Sequence, residues 1–205
     1  MTVCLKEDKG LSTTVFLINW SEKSLAESLA PSIADFRFSC CSTCFSVNSF
    51  DAVTAGQCWH WFDQEKAIVE CARLLKPNGK LAVCWFDWIP LPGTVPGVTE
   101  ELIESHNPDW KLGGIRARDD YYNSCKSIFT HHAMKIVGEF DFIDDTTYSR
   151  ISWCKRIQAS AGIVALSPEK ALAFDQELDQ TLIKEFGSGD LETPHSVVGF
   201  VLAKK

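Results

Sequence analysis

The chain has 205 residues, of which 45% are hydrophobic and 23% charged, with 12 Gly and 8 Pro, so collagen-like, coiled-coil and disordered classes are excluded and one sizeable core is expected. The 20 basic and 27 acidic side chains leave a formal charge of −7, which gives no cationic excess to hold nucleic acid or an anionic membrane and points to a small-molecule partner. Nine cysteines are an odd number, and Cys58, Cys71, Cys84 and Cys154 sit in apolar runs, as in a reducing cytoplasm rather than a disulfide scaffold. Cys41 and Cys44, with Cys40 beside them, have metal-like spacing, but no second CxxC or His pair completes a tetrahedral set, and no metal is expected. No run reaches the roughly 18 to 20 apolar residues of a membrane span.

Residues 1–10 carry Lys6, Glu7, Asp8 and Lys9, and the apolar run 15–18 is too short for a signal core. TTVFLIN (13–19) is β-branched and apolar, which predicts a strand; SEKSLAESLA (21–30) has helix-forming composition, with Ser21 as its cap. Residues 31–44, rich in Ser and Cys, read as an irregular insertion.

FDAVTAG (50–56) predicts a strand running into a glycine turn, followed by the aromatic group Cys58, Trp59, His60, Trp61 and Phe62. Asp63 is a good N-cap for a helix whose Ala67, Ile68, Cys71, Ala72 and Leu75 share one face. Lys76, Pro77, Asn78 and Gly79 end it, and residues 81–86 form a continuously apolar strand. Strand, helix, strand in under 40 residues is a βαβ unit, and its ligands belong beyond the carboxyl ends of the strands, at residues 55–60 and 87–91.

Downstream, 89–97 reads as a Pro- and Gly-rich loop, 98–106 and 118–129 as helices, 135–143 as an alternating strand, 148–161 and 167–186 as helices, and 195–203 as a closing strand. Ser167 and Pro168 suit an N-cap and a first-turn proline. His131 and His132 read as surface residues.

FDAVTAGQCWHWFD (50–63) and ARLLKPNGKLAV (72–83) resemble the later half of a class I S-adenosylmethionine-dependent methyltransferase, in the small-molecule, methyltransferase type 11-like group whose fourth strand runs into an HWF segment. YSRISWCKRIQASAG (148–162) and PHSVVGFVLAKK (194–205) are similar to the group's helix after the sixth strand and its antiparallel closing strand. The resemblance implies an α/β fold: an incomplete doubly wound, Rossmann-like, mostly parallel sheet with an antiparallel final strand, in one domain over 1–205. Residues 50–205 match, while 1–49 form a divergent remnant in which the family's glycine-rich cofactor loop is not found, so an N-terminally truncated domain is expected. In that remnant 15–19 would be the third strand or would occupy the position beside the fourth.

The same resemblance implies S-adenosylmethionine as cofactor and methyl transfer to a small molecule. Glu27, in an A-E-x-L segment (26–29), Ala55 and Gln57 are its candidate cofactor residues, and His60 its candidate catalytic base or hydrogen-bond partner. Trp59, Trp88 and Arg156 are candidates for holding the acceptor, through aromatic faces and a guanidinium. Core packing explains the tryptophans, and an exposed helix position explains Glu27, without any site. The alternative function is an inactive truncated homologue acting as a dimerising or regulatory partner, since an uncovered sheet edge invites homo- or hetero-association.

Overall fold

The computed structural model describes residues 2–6, 14–18, 45–110, 118–132 and 134–204. Six strands, β1 (Thr2–Lys6), β2 (Thr14–Ile18), β3 (Phe50–Gly56), β4 (Leu75–Trp88), β5 (Met134–Tyr148) and β6 (Leu191–Lys204), make one sheet in the order β1-β2-β3-β4-β6-β5. The helices are α1 (Gln64–Leu74), α2 (Val95–His106), α3 (Arg118–His131), α4 (Arg150–Gln158), α5 (Ala161–Val164) and α6 (Pro168–Phe186). The architecture is α/β and Rossmann-like, with a mixed sheet: β2, β3 and β4 run parallel, while β6 lies antiparallel to both β4 and β5 and β1 is antiparallel to β2.

The predicted βαβ unit is present. Val53 pairs with Leu81 and Gly56 with Cys84 in parallel register, which no tight turn can achieve, so the chain must cross over through a helix. Asp63 starts that helix, its Oδ1 accepting from the Lys66 amide at 3.3 Å. Ala67, Ile68, Cys71, Ala72 and Leu74 are buried along α1, the 3.6-residue stripe that the sequence displays. Leu75, predicted on the same stripe, is fully buried as well but already opens β4.

The Lys76 to Gly79 turn falls inside the strand. Phe50 pairs with Leu75 and Ala52 with Lys80, so the intervening residues bulge out. Asn78 takes a φ of 68° there, and a Cβ on Gly79 would lie 3.0 Å from the Lys76 carbonyl oxygen, which is why glycine fits this turn.

Alternation along the strands sends one set of side chains to each side of the sheet. Val53, Ala55, Leu81, Val83, Trp85, Val198, Phe200 and Leu202 form a core with Ile68 and Cys71 of α1 and with Tyr122, Cys125 and Phe129 of α3. A second core gathers Val95 and Ile103 of α2, Trp153 and Ile157 of α4, Phe174, Leu178 and Leu182 of α6, and Leu191 at the start of β6.

Several boundaries differ from expectation. Residues 2–6, read without secondary structure, form β1. The 13–19 strand appears as β2 and occupies the place directly beside β3, in parallel register. The helix expected at 98–106 begins at Val95, because Thr94 caps it through Oγ1 to the Gly97 amide at 3.2 Å and Pro96 fits the first turn. β5 continues to Tyr148, and Ser149 then caps α4, so the expected 148–161 helix starts at Arg150. The predicted 21–30 helix and 31–44 insertion, with Cys40, Cys41 and Cys44, lie outside the described residues.

Candidate functional site

At the carboxyl ends of the parallel strands, β3 stops at Gly56 and Gln57 turns the chain with φ 53°, a left-handed conformation that a non-glycine residue adopts only when its neighbours hold it. Here they do. The Gln57 amide donates to the Cys84 carbonyl at 3.0 Å, and its side-chain Nε2 donates to the Phe86 carbonyl at 2.6 Å and to Asp87 Oδ1 at 2.9 Å. Tyr122 of α3 donates to Asp87 Oδ2 at 3.2 Å, so this carboxylate ties the β3 turn to the end of β4 and to a helix.

His60 lies in the short 3-10 turn Trp59–Trp61 and is an exposed residue at this mouth. Desolvation of its ring by surrounding protein lowers its pKa, and the charge of Asp87 opposes that shift. A neutral imidazole at neutral pH is the form that can accept a proton.

On the opposite side of β4, Arg156 sets its guanidinium near three rings, 5.6 Å from the centroid of Phe86, 5.4 Å from Trp88 and 5.8 Å from Tyr148, while Nη2 donates to the Phe86 carbonyl at 3.2 Å. His195 of β6 stacks on Phe86 with centroids 4.2 Å apart and is fully buried. Its Nδ1 faces the Thr193 carbonyl at 2.8 Å, which fixes the proton there and leaves Nε2 as an acceptor. Burial lowers the His195 pKa, the Thr193 bond and the carboxylates of Asp87 and Asp144 act the other way, and Arg156 adds to the lowering.

Three buried polar atoms around Phe86 have no hydrogen-bond partner among the described residues: Gln57 Oε1, Arg156 Nε and His195 Nε2. A buried group left unpaired costs about 1–3 kcal/mol, and such a group ordinarily meets water or a ligand. The three residues surround one strand end, two of them bonded to its carbonyl and the third stacked on its ring.

The expected site residues are thus distributed unevenly. Gln57 and His60 stand beside Asp87 at the end of β3, while Trp88 and Arg156 meet each other on the opposite side of β4. Trp88 is half-buried, and its Nε1 donates to Glu100 at 2.7 Å. Ala55 is fully buried on the α1 side, so its side chain belongs to the core. Trp59 is fully buried too, edge-on to Phe62 and Phe129. Glu27 lies outside the described residues. His132, read as a plain surface residue, meets the Glu65 carboxylate, while His131 is exposed.

Asp87, Tyr122 and His195 are the residues that sequence reasoning did not assign a role. Asp87 had a signal, a carboxylate ending an apolar strand at the mouth; nothing local marks Tyr122 or His195, because Asp87 and Phe86, which they respectively meet, are far away in the chain. Among the described residues there is no group of three or more His, Cys, Asp or Glu able to hold a metal, and no helix long and apolar enough to cross a membrane.

Residues 3–83 match a family described as "Methyltransferase domain". A stretch of 37 residues is 60% identical to an uncharacterized methyltransferase of Schizosaccharomyces pombe, covering 18% of this chain and 15% of that protein. A stretch of 38 residues is 53% identical to an uncharacterized methyltransferase of Mycobacterium bovis, covering 18% of this chain and 16% of that one. Both alignments therefore span well under a quarter of the relatives' length. Among solved structures, a provisional type II methyltransferase from Anaeromyxobacter dehalogenans superposes with a TM-score of 0.54 at 14% identity, over 78% of this chain and 66% of that one. That likeness extends the same fold beyond the region matched in sequence.

Proposed function

We propose that this chain, whose residues 3–83 match a family described as "Methyltransferase domain", is a class I S-adenosylmethionine-dependent methyltransferase that binds that cofactor at the carboxyl ends of β3 and β4 and passes its methyl group to a small-molecule acceptor. The observation that carries the proposal is that Gln57 Oε1 on one side of β4, and Arg156 Nε and His195 Nε2 on the other, are each buried and unpartnered among the described residues around the end of one parallel strand.

The donor set fits the cofactor. Gln57 Oε1 is an unpartnered acceptor at the β3 turn and would help hold the cofactor, Ala55 supports that turn from the strand before it, and Glu27 is the further carboxylate proposed for the cofactor. When bound, the cofactor supplies a methyl group on a sulfonium, activated for in-line displacement. The rest falls to the chain's own side chains, which orient the acceptor and take its proton.

His60 is the proposed base. Its lowered pKa keeps the ring neutral at neutral pH, and the nearby Asp87 charge favours the imidazolium once a proton arrives. Trp88 and Arg156 hold the acceptor, the indole by its face and the guanidinium by charge and hydrogen bonds. Trp59 serves from beneath, by packing the turn that carries His60 against Phe129. A reducing compartment such as the cytoplasm suits the cysteines of this chain, Cys84 and Cys154 among them, which are held as thiols.

Titration calorimetry with S-adenosylmethionine tests this directly. Saturable binding is expected, weakened about tenfold by Gln57→Ala, which corresponds to loss of one well-placed hydrogen bond. His60→Asn should leave binding intact and lower turnover with any acceptor found. No binding by a chain whose circular dichroism is native would sink the enzyme reading and favour the inactive, partner-binding alternative.

A further inference from the structure

The other notable surface is the outer edge of the sheet, on the strand whose Asp144 pairs with His195. β5 is 15 residues long and pairs with β6 along its length, from Met134 opposite Lys204 to Tyr148 opposite Leu191. It stands last in the sheet, and among the described residues no strand pairs with its outer edge. A long row of backbone donors and acceptors is therefore presented outward, the feature that strand-adding ligands use.

The side chains along this edge have a pattern. Phe140 and Phe142, 41% and 51% exposed, lie on one side of the strand, with Phe140 resting over Gly199. Asp141, Ile143 and Asp145 alternate with them on the other side and are all exposed, Ile143 at 69%. An added strand would therefore meet apolar rings with every second residue and carboxylates with the residues between. Glu139 is already paired with Lys126 of α3, which leaves Asp141, Asp144 and Asp145 as the three aspartates of β5 against its single lysine Lys135.

That charge selects the occupant. Two copies of the chain, each at −7 overall, would bring two acidic β5 strands together, and like charges facing across an antiparallel pair are destabilising. A segment alternating apolar and cationic residues meets the rings with one set and the carboxylates with the other. We infer that the outer edge of β5 takes up an extended basic peptide segment by strand addition, the apolar residues lying over Phe140 and Phe142 and the lysines or arginines along Asp141 and Asp145. The inference is independent of methyl transfer, because neither phenylalanine nor either carboxylate belongs to the mouth of β3 and β4.

The probe is a fluorescein-labelled decapeptide of alternating valine and lysine, titrated with the full chain and followed by fluorescence anisotropy. Saturable binding that weakens with added salt is expected, together with slowed amide hydrogen exchange confined to Met134–Tyr148. The double variant Asp141→Lys, Asp145→Lys should lose about tenfold or more in affinity for this peptide and gain affinity for the valine–glutamate counterpart. Phe142→Ser, a change at an exposed position, should weaken both. The proposal is overturned if the lysine peptide does not saturate, if wild type binds the glutamate peptide equally well, or if slowed exchange appears elsewhere. Concentration-dependent dimers that protect β5 without any peptide would overturn it in favour of a second copy.

Discussion

The two cores of this molecule are built by different means. The one beneath α1 and α3 is almost wholly apolar, with Trp59, Phe129, Trp85 and Phe200 meeting edge to face at centroid distances of 5.5–6.0 Å. The one among α2, α4 and α6 is threaded with buried and half-buried hydrogen bonds. Glu100, 3% exposed, accepts from the indoles of Trp88 at 2.7 Å and Trp110 at 3.1 Å, and Thr99 accepts from Trp153 at 3.0 Å. An apolar core tolerates exchange of similar shapes, whereas a polar network is fixed by direction, since each member lost leaves a partner unpaired. The difference matters for the site, because Trp88 and His195 belong to the second environment while Gln57 and His60 stand at the rim of the first.

The largest effect should come from Phe129→Ala, which removes the ring between Trp59 and Phe200. A loss of about 3–5 kcal/mol is expected for emptying such a position, measured by urea unfolding. A loss below 1 kcal/mol would mean that the first core is looser than its packing indicates.

Glu100→Ala should come next, at about 1–3 kcal/mol, because two half-buried indole donors lose their acceptor. Glu100→Gln, which keeps one carbonyl oxygen, should cost less. Near-ultraviolet circular dichroism should change for both variants through Trp88 and Trp110. Equal costs for the two would show that charge and not hydrogen-bond direction holds the network.

The same contrast explains what could be read in advance. The βαβ unit, its cap at Asp63 and the buried stripe on α1 were legible because each rests on residues close in sequence with one dominant period. So were Gln57, His60 and Trp88 as residues of a strand mouth. His195 was not: its importance depends on Phe86 and Tyr148, brought to it by antiparallel pairing across more than a hundred residues in the case of Phe86. Trp59 and Ala55 show the converse. Position along the chain put both near the mouth, but strand and turn geometry directs their side chains into the core. β1 escaped notice because Thr2–Lys6 is short and flanked by charges, with only its pairing to β2 making it a strand.

The pH dependence of stability separates the two regions next. His195 is held below its ordinary pKa of 6.5 in the folded chain, mainly by burial. Protons therefore bind the unfolded chain more readily, so stability is full above pH 6.5 and falls as the pH drops toward the folded value. His195→Phe, which keeps a ring against Phe86, should flatten that acid slope between urea midpoints at pH 8 and pH 5.5. His60 is lowered as well and has the same sign, so a smaller slope should persist. An unchanged slope in His195→Phe would assign the effect to His60 and the first region.

The smallest effect is expected at Asp63, the N-cap of the crossover helix. Its Oδ1 accepts from the Lys66 amide at 3.3 Å and its Oδ2 meets Lys66 Nζ at 2.8 Å. Asp63→Ala removes both contacts and should cost about 1 kcal/mol. Asp63→Asn keeps the cap acceptor and loses only the charge, so its cost should be a few tenths of a kcal/mol, as for an exposed charge near a helix N-terminus. Because α1 is the connection that makes β3 and β4 parallel, faster amide exchange in Asp63→Ala should begin in the first turn of α1 and leave α6, which has its own Ser167 cap, unchanged. Exchange quickened equally in both helices would mean that the two cores open as one unit.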